Sequence, residues 1–372
     1  MTHEPEDVAA VEAGAILTID LGALAANWRR IAARCGEAEC AAVVKADAYG
    51  VGVGPAARAL WQAGARTFFV AHALGGRRLR AILPGATIYC LNGFAPGAVG
   101  QFLEHRLRPV IGSLEEAKEW ALAALGRSDA QPAAVHLDTG MNRLGLEADE
   151  LAQARALLDG VPLSLLMSHF ASSEQVDDPF NTRQIETFES MRQAFPELPC
   201  SIANSSGAFL RRRPHYDLVR PGYALYGGNP TPGEANPMQS VVSLEARIVQ
   251  TRFIEPGESV GYNAIWIAPE RRRLATISLG YADGIPRALV GDNGAPGGEA
   301  VVAGVRCPFV GRVSMDLIVL DVTDAPRAER GDFVEILGPT ISIDELGGRA
   351  RTIGYEILTN LGRRYARVYR GG

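Results

Sequence analysis

The sequence is poor in the features that mark several large functional classes. Its five cysteines, Cys35, Cys40, Cys90, Cys200 and Cys307, are odd in number and widely spread, with no C-x-x-C pair, which argues against a disulfide framework and against a zinc site. It has no H-E-x-x-H motif, Walker loop, G-x-S-x-G elbow or carboxylate cluster of metal-binding type, so no metal is expected. No apolar run approaches the length of a membrane span, and the N-terminus, M-T-H-E-P-E-D-V, is acidic where a signal peptide would be basic. A cytoplasmic protein that leaves membranes alone is the expectation. A basic surplus is missing too. The net charge is -5, and the clusters Arg211-Arg212-Arg213 and Arg271-Arg272-Arg273 are short and lack aromatic ladders, so nucleic acid is not an expected partner.

What the chain does have is length and alternation. Its 372 residues, 47% of them apolar, are ample for two domains. Between residues 40 and 226, short apolar runs alternate with helical patterns, and eight such runs can be counted: 40–44, 67–71, 87–91, 108–111, 133–138, 163–168, 199–203 and 217–220. Pro55 and the capping box Ser113-x-x-Glu116 mark helix starts. Strand and helix repeating eight times predicts a parallel (β/α)8 barrel of the TIM type. Past residue 240 the pattern becomes V-S-L-E-A-R-I-V, L-A-T-I-S-L and L-I-V-L-D-V, divided by turns such as Glu255-Pro-Gly-Glu258, and predicts a C-terminal mostly-β domain. The expected division is 1–238 and 239–372. An earlier strand-like segment, A-I-L-T-I-D, precedes a helix that Asp20 can cap, and the pattern leaves open which domain it joins.

Barrels carry their chemistry at the C-terminal ends of their strands. Lys45 ends the first counted run, Leu91 the third, Asp138 the fifth with Arg143 just beyond, His169 the sixth, Asn204 and Ser205 the seventh and Arg220 the eighth. Gathering a lysine, a histidine and two arginines on one rim is expensive unless they have partners. The segment R-P-G-Y-A-L-Y-G (220–227) adds backbone N–H groups suited to a phosphate, with Ser205 on the neighbouring loop. A lysine able to form a Schiff base, a phosphate cradle and an arginine form the set that pyridoxal phosphate requires.

The chain resembles the alanine racemases over nearly its whole length. The resemblance rests on V-V-K-A-D-A-Y-G (43–50), D-T-G-M-N-R-L-G (138–145), S-H-F-A (168–171), A-N-S-S (203–206), R-P-G-Y-A-L-Y-G (220–227), V-G-Y-N (260–263), G-Y-A-D-G-I-P-R (280–287) and G-R-V-S-M-D (311–316). It implies a homodimeric isomerase that uses pyridoxal 5'-phosphate to interconvert L- and D-alanine, for peptidoglycan or for alanine catabolism. Lys45 and Tyr262 are then the two catalytic bases, with Tyr262 supplied by the partner subunit. Lys45, Tyr49, Leu91, His169, Asn204, Ser205, Arg220, Gly222, Tyr223 and Tyr355 become the cofactor set, with Arg220 facing the pyridine nitrogen. Arg143 and Met315 are expected at the substrate carboxylate, and Tyr281 and Asp316 near the entrance. One departure concerns His136, which stands where many members carry a carbon-dioxide-modified lysine that orients the arginine, so Arg143 must be oriented otherwise. A second is Val51, where the family's first motif often has histidine. The alternatives are a broader amino-acid racemase, for example of serine, a pyridoxal-phosphate decarboxylase of the same plan, and a non-catalytic single-barrel carrier of the cofactor.

Overall fold

The computed structural model describes residues 11–295 and 297–372. The acidic stretch read at the N-terminus, and Pro296 in the loop 291–298, lie outside the described residues. Two compact units divide the chain, one of residues 24–239 and one of residues 11–23 with 240–372.

The chain opens with β1 (Ala15–Asp20) and α1 (Leu21–Cys35), and Asp20 Oδ1 accepts the Ala23 N–H at 2.7 Å, the cap expected of it. The first unit then runs through β2 (Glu39–Cys40), β3 (Ala42–Val43), α2 (Lys45–Tyr49), α3 (Val53–Ala63), β4 (Thr67–Val70), α4 (Ala73–Ile82), β5 (Thr87–Cys90) and α5 (Val99–Glu104). It continues with β6 (Arg108–Ile111), α6 (Leu114–Ala124), β7 (Ala133–His136), α7 (Leu151–Leu157), β8 (Leu163–Met167), α8 (Pro179–Met191), β9 (Cys200–Ser201) and β10 (Leu218–Val219).

Strands β3 to β9 form a seven-stranded parallel sheet in sequence order, and β10 pairs in parallel with β2. Single hydrogen bonds carry the ring onward, from Arg220 N to Ala203 O and from Val43 N to Pro221 O, each at 2.9 Å. All eight counted runs therefore contribute strand, but the first is split in two, and the last two are only two residues long. Between β9 and β10 a short 3-10 turn, Gly207–Phe209, takes the place of a helix. Phe68, Phe69, Phe102, Trp120 and Phe188 are fully buried in this unit. The capping box forms by half. Glu116 N donates to Ser113 Oγ, but the Glu116 carboxylate goes to Gly112 N and Phe94 N, tying together two loops at the strand ends.

The second unit contains β11 (Val242–Ile254), β12 (Ser259–Val260), β13 (Trp266–Ile267), β14 (Arg272–Ile277), β15 (Glu299–Val302), β16 (Val305–Pro308), β17 (Ile318–Asp321), β18 (Phe333–Leu337), α9 (Ile343–Arg349), α10 (Gly354–Thr359) and β19 (Ala366–Arg370). Its main sheet runs β16-β15-β18-β11-β1-β19, and β14 pairs with both β11 and β17. β1 is antiparallel to β11 and parallel to β19, so the strand whose membership the pattern left open lies in the β unit. Among the described residues no helix is long and apolar enough to cross a membrane.

Candidate active site

Lys45 follows a strand end, but the chain does not enter an ordinary helix there. Ala46, Asp47, Ala48 and Tyr49 all have φ between 52° and 55°, one turn of left-handed helix built from L-residues. Each such residue costs roughly 1–2 kcal/mol, so the turn must be held from outside. Ala48 N and Gly50 N bond to the carbonyls of Val44 and Ala46, and Asp47 Oδ1 accepts Val53 N at 2.8 Å. Tyr49 stacks on Tyr226 with ring centroids 4.6 Å apart, and Tyr226 in turn donates to Val43 O at 3.0 Å. The turn keeps the Lys45 side chain accessible at the barrel rim. Desolvation by the surrounding protein, and then the charge of Arg143, lower the pKa of its amine.

Beside it the loops after β9 and β10 form a cradle. Ser205 Oγ accepts from Gly222 N at 3.0 Å and from Ala224 N at 3.2 Å. Gly222 has no Cβ to spare, since one would lie 2.3 Å from the Tyr49 hydroxyl. Burial pushes the Tyr49 hydroxyl up, which keeps it a proton donor. The Tyr49 and Ser205 hydroxyls, beside a glycine that lets a ligand approach the backbone closely, suit a phosphate, so these residues fit pyridoxal phosphate. Tyr223 opens the 3-10 turn that follows, Tyr223–Tyr226.

Arg220 is only 3% exposed. It donates to Ser168 O at 2.5 Å, to Ser201 Oγ, and to His169 Nδ1 at 3.5 Å, and it lies over the Phe69 ring. Burial pushes it down to about 9, so it remains protonated at neutral pH. Its hydrogen bonds go to neutral groups and not to a carboxylate. Burial, then the charges of Arg220, Arg143, His136 and Lys45, hold His169 well below the usual histidine range. His136, at the end of β7, is pushed down to about 4 by burial and then by Arg220. Both imidazoles are therefore neutral at pH 7.

Lys45, Tyr49, Arg143, His136, His169, Ser205, Arg220, Gly222 and Tyr223 thus belong to one rim. Leu91 directly follows β5, with its N–H bonded to Val70 O. Asn204 is occupied elsewhere, its Oδ1 accepting from Ser173 Oγ and Gly207 N at 2.8 Å each. Among the described residues no group of three or more His, Cys, Asp and Glu could hold a metal.

The β unit carries the remaining candidates. Tyr262 is 68% exposed in a tight turn where Gly261, Asn263 and Ala264 all have positive φ. Tyr281 N bonds to Ser314 O and Ala282 N to Met315 O, each at 3.0 Å, and a Cβ on Gly280 would overlap Met315 O. That close approach presents Tyr281 and Met315 side by side, both exposed. Asp316 accepts from Arg364, whose guanidinium also clasps Asp283, so its visible role is to brace this corner. Tyr355 lies half-buried on α10.

Sequence reasoning missed a group of buried polar residues behind the rim: Thr139, Ser168, Gln184 and Ser201. Ser168 stands in the S-H-F-A motif and Thr139 in D-T-G-M, but Gln184 is signalled only as a polar residue on the inner face of a helix.

The family model described as alanine racemase, N-terminal domain, matches residues 19–230, and the one described as alanine racemase, C-terminal domain, matches residues 241–369. An alanine racemase of Methylobacterium sp. (strain 4-46) is 57% identical, covering 96% of this chain and 98% of its own. A protein of Mesorhizobium japonicum named as a catabolic alanine racemase is 46% identical, covering 98% and 96%. The crystal structure of alanine racemase from Bartonella henselae, with covalently bound pyridoxal phosphate, superposes with a TM-score of 0.91 at 39% identity over 96% of this chain and 99% of that one. The chain belongs to the alanine racemase family.

Proposed function

We propose that this protein interconverts L- and D-alanine with pyridoxal 5'-phosphate. The observation that carries the reading is the rim itself: an accessible lysine, a buried arginine bonded only to neutral groups, and a hydroxyl-and-amide cradle. When bound, the cofactor supplies the electron withdrawal that acidifies the α-proton of an amino acid. Tyr49, Ser205, Gly222 and Tyr223 would hold its phosphate. Lys45 would hold its aldehyde carbon and move a proton at Nζ on one face of the substrate, for which the lowered pKa suits it. Tyr262 of the partner subunit serves the opposite face, which makes the working unit a homodimer. Arg143 and the Met315 N–H take the substrate carboxylate.

Arg220 would serve the cofactor's ring nitrogen and, being a donor without a proton to give up, would leave it unprotonated, a weaker electron sink than a carboxylate partner would produce. This also disfavours the decarboxylase reading. Neutral His169 joins Arg220 to the tyrosine side of the site. Racemisation in the cytoplasm provides D-alanine for peptidoglycan or feeds alanine breakdown.

The test is the circular-dichroism signal of L-alanine incubated with protein and cofactor, beside the Lys45→Ala variant. Decay to zero in the wild type alone is expected. An unchanged alanine signal with decay of L-serine would reassign the substrate, and no decay with either would remove racemisation as the function.

A further inference from the structure

Arg143 makes no ion pair among the described residues, and the buried His136 Nδ1 has no hydrogen-bond partner among them, so neither an acidic partner nor that ring nitrogen explains how Arg143 is aimed. The loop that bears it is, however, tightly bound. A bridge between Leu137 and Leu146 closes its base, and Asp138 Oδ1 accepts from Gly140 N at 2.8 Å and Met141 N at 2.9 Å. Its outer flank rests on α8. A Cβ on Gly140 would stand 3.1 Å from the Phe180 ring, so that ring covers the turn closely.

One turn further along α8 stands Gln184, which is 0% exposed. A buried amide is costly unless its bonds are met, and this one meets three. Gln184 Nε2 donates to Thr139 Oγ1 at 3.1 Å and to His169 O at 3.0 Å, and Oε1 accepts from Ala171 N at 2.9 Å. Thr139 Oγ1 also bonds Ser168 Oγ at 2.8 Å, and the Ser168 carbonyl receives the Arg220 guanidinium. One side chain thus spans the loop of Arg143 and the loop of His169.

We infer that Gln184 and Thr139 are positioning residues for the reaction: their bond latches the Arg143 loop to the His169 loop, so that Arg143 meets the substrate carboxylate without a charged partner of its own. The inference rests on the reading that Arg143 binds that carboxylate. It differs from mere packing because Thr139→Val is nearly isosteric and removes only the hydroxyl, whereas Thr139→Ser keeps it.

The experiment compares holoenzymes of wild type, Thr139→Val, Thr139→Ser, Gln184→Leu and Arg143→Ala. It reads KM and kcat for L-alanine, the Kd of propionate by calorimetry, and Tm. Thr139→Val and Gln184→Leu are expected to raise KM and the propionate Kd by roughly tenfold, with kcat changed less than about threefold, because losing the latch removes aim rather than chemistry. Thr139→Ser should stay at wild type, and the double variant Thr139→Val/Gln184→Leu should be little worse than either single one. If Arg143→Ala loses propionate while Thr139→Val keeps wild-type KM and Kd, the latch is overturned and the reading of Arg143 stands. If Arg143→Ala leaves both unchanged, that reading fails and the latch with it.

Discussion

His136 ends β7 with its Nδ1 bonded to nothing among the described residues, and burial and then Arg220 push it down to about 4. In the unfolded chain it returns to about 6.5. Between those values the unfolded state binds more protons than the folded one, so stability falls as the pH drops from about 6.5 to about 4 and is unaffected by this group above that window. His136→Gln should therefore lose less urea stability than the wild type between pH 7 and pH 4.5, by about 2–3 kcal/mol. Parallel urea curves for the two proteins at both pH values would remove His136 as a source of acid sensitivity. At this scale the sequence was legible wherever a residue's place follows from standing at a strand end, as with Lys45, Ser205 and Arg220. It was not legible where a residue's partners lie far off in the chain. Asn204 Oδ1 accepts from Ser173 and Gly207, bonds that spacing does not announce, and Gln184 has no meaning until Thr139, 45 positions earlier, is placed beside it.

At the scale of elements, α2 is the one that pattern reasoning misses. Ala-Asp-Ala-Tyr carries ordinary right-handed helix propensity, so nothing local announces a left-handed turn; the stacking on Tyr226 and the bonds to Val44 and Val53 impose it. Ala46 is exposed and has φ 52°. Ala46→Gly removes a strained Cβ while adding freedom to the unfolded chain, for a net gain of about 0.5–1 kcal/mol in urea unfolding. A loss of stability would mean that the turn is not the strained element described. The strands themselves could be counted from apolar runs, but their ends could not. Runs counted at four or five residues ladder over only two at β9 and β10, because the chain is already bending into the cradle and toward Arg220.

For the whole molecule, the change of pattern near residue 240 separates a barrel from a β unit, whereas the place of β1 could not be read, since its partners β11 and β19 lie more than 200 residues away. Racemisation by two bases at a shared site requires that Lys45 of one subunit and Tyr262 of the partner subunit work on one substrate. Lys45→Ala and Tyr262→Phe should each abolish racemisation. Unfolded, mixed in equal amounts and refolded with cofactor, they should pair at random. Half the dimers are then mixed, each with one intact site, so roughly a quarter of wild-type activity should return. Recovery near that level is the predicted result; a mixture as inactive as its two components would contradict the shared site.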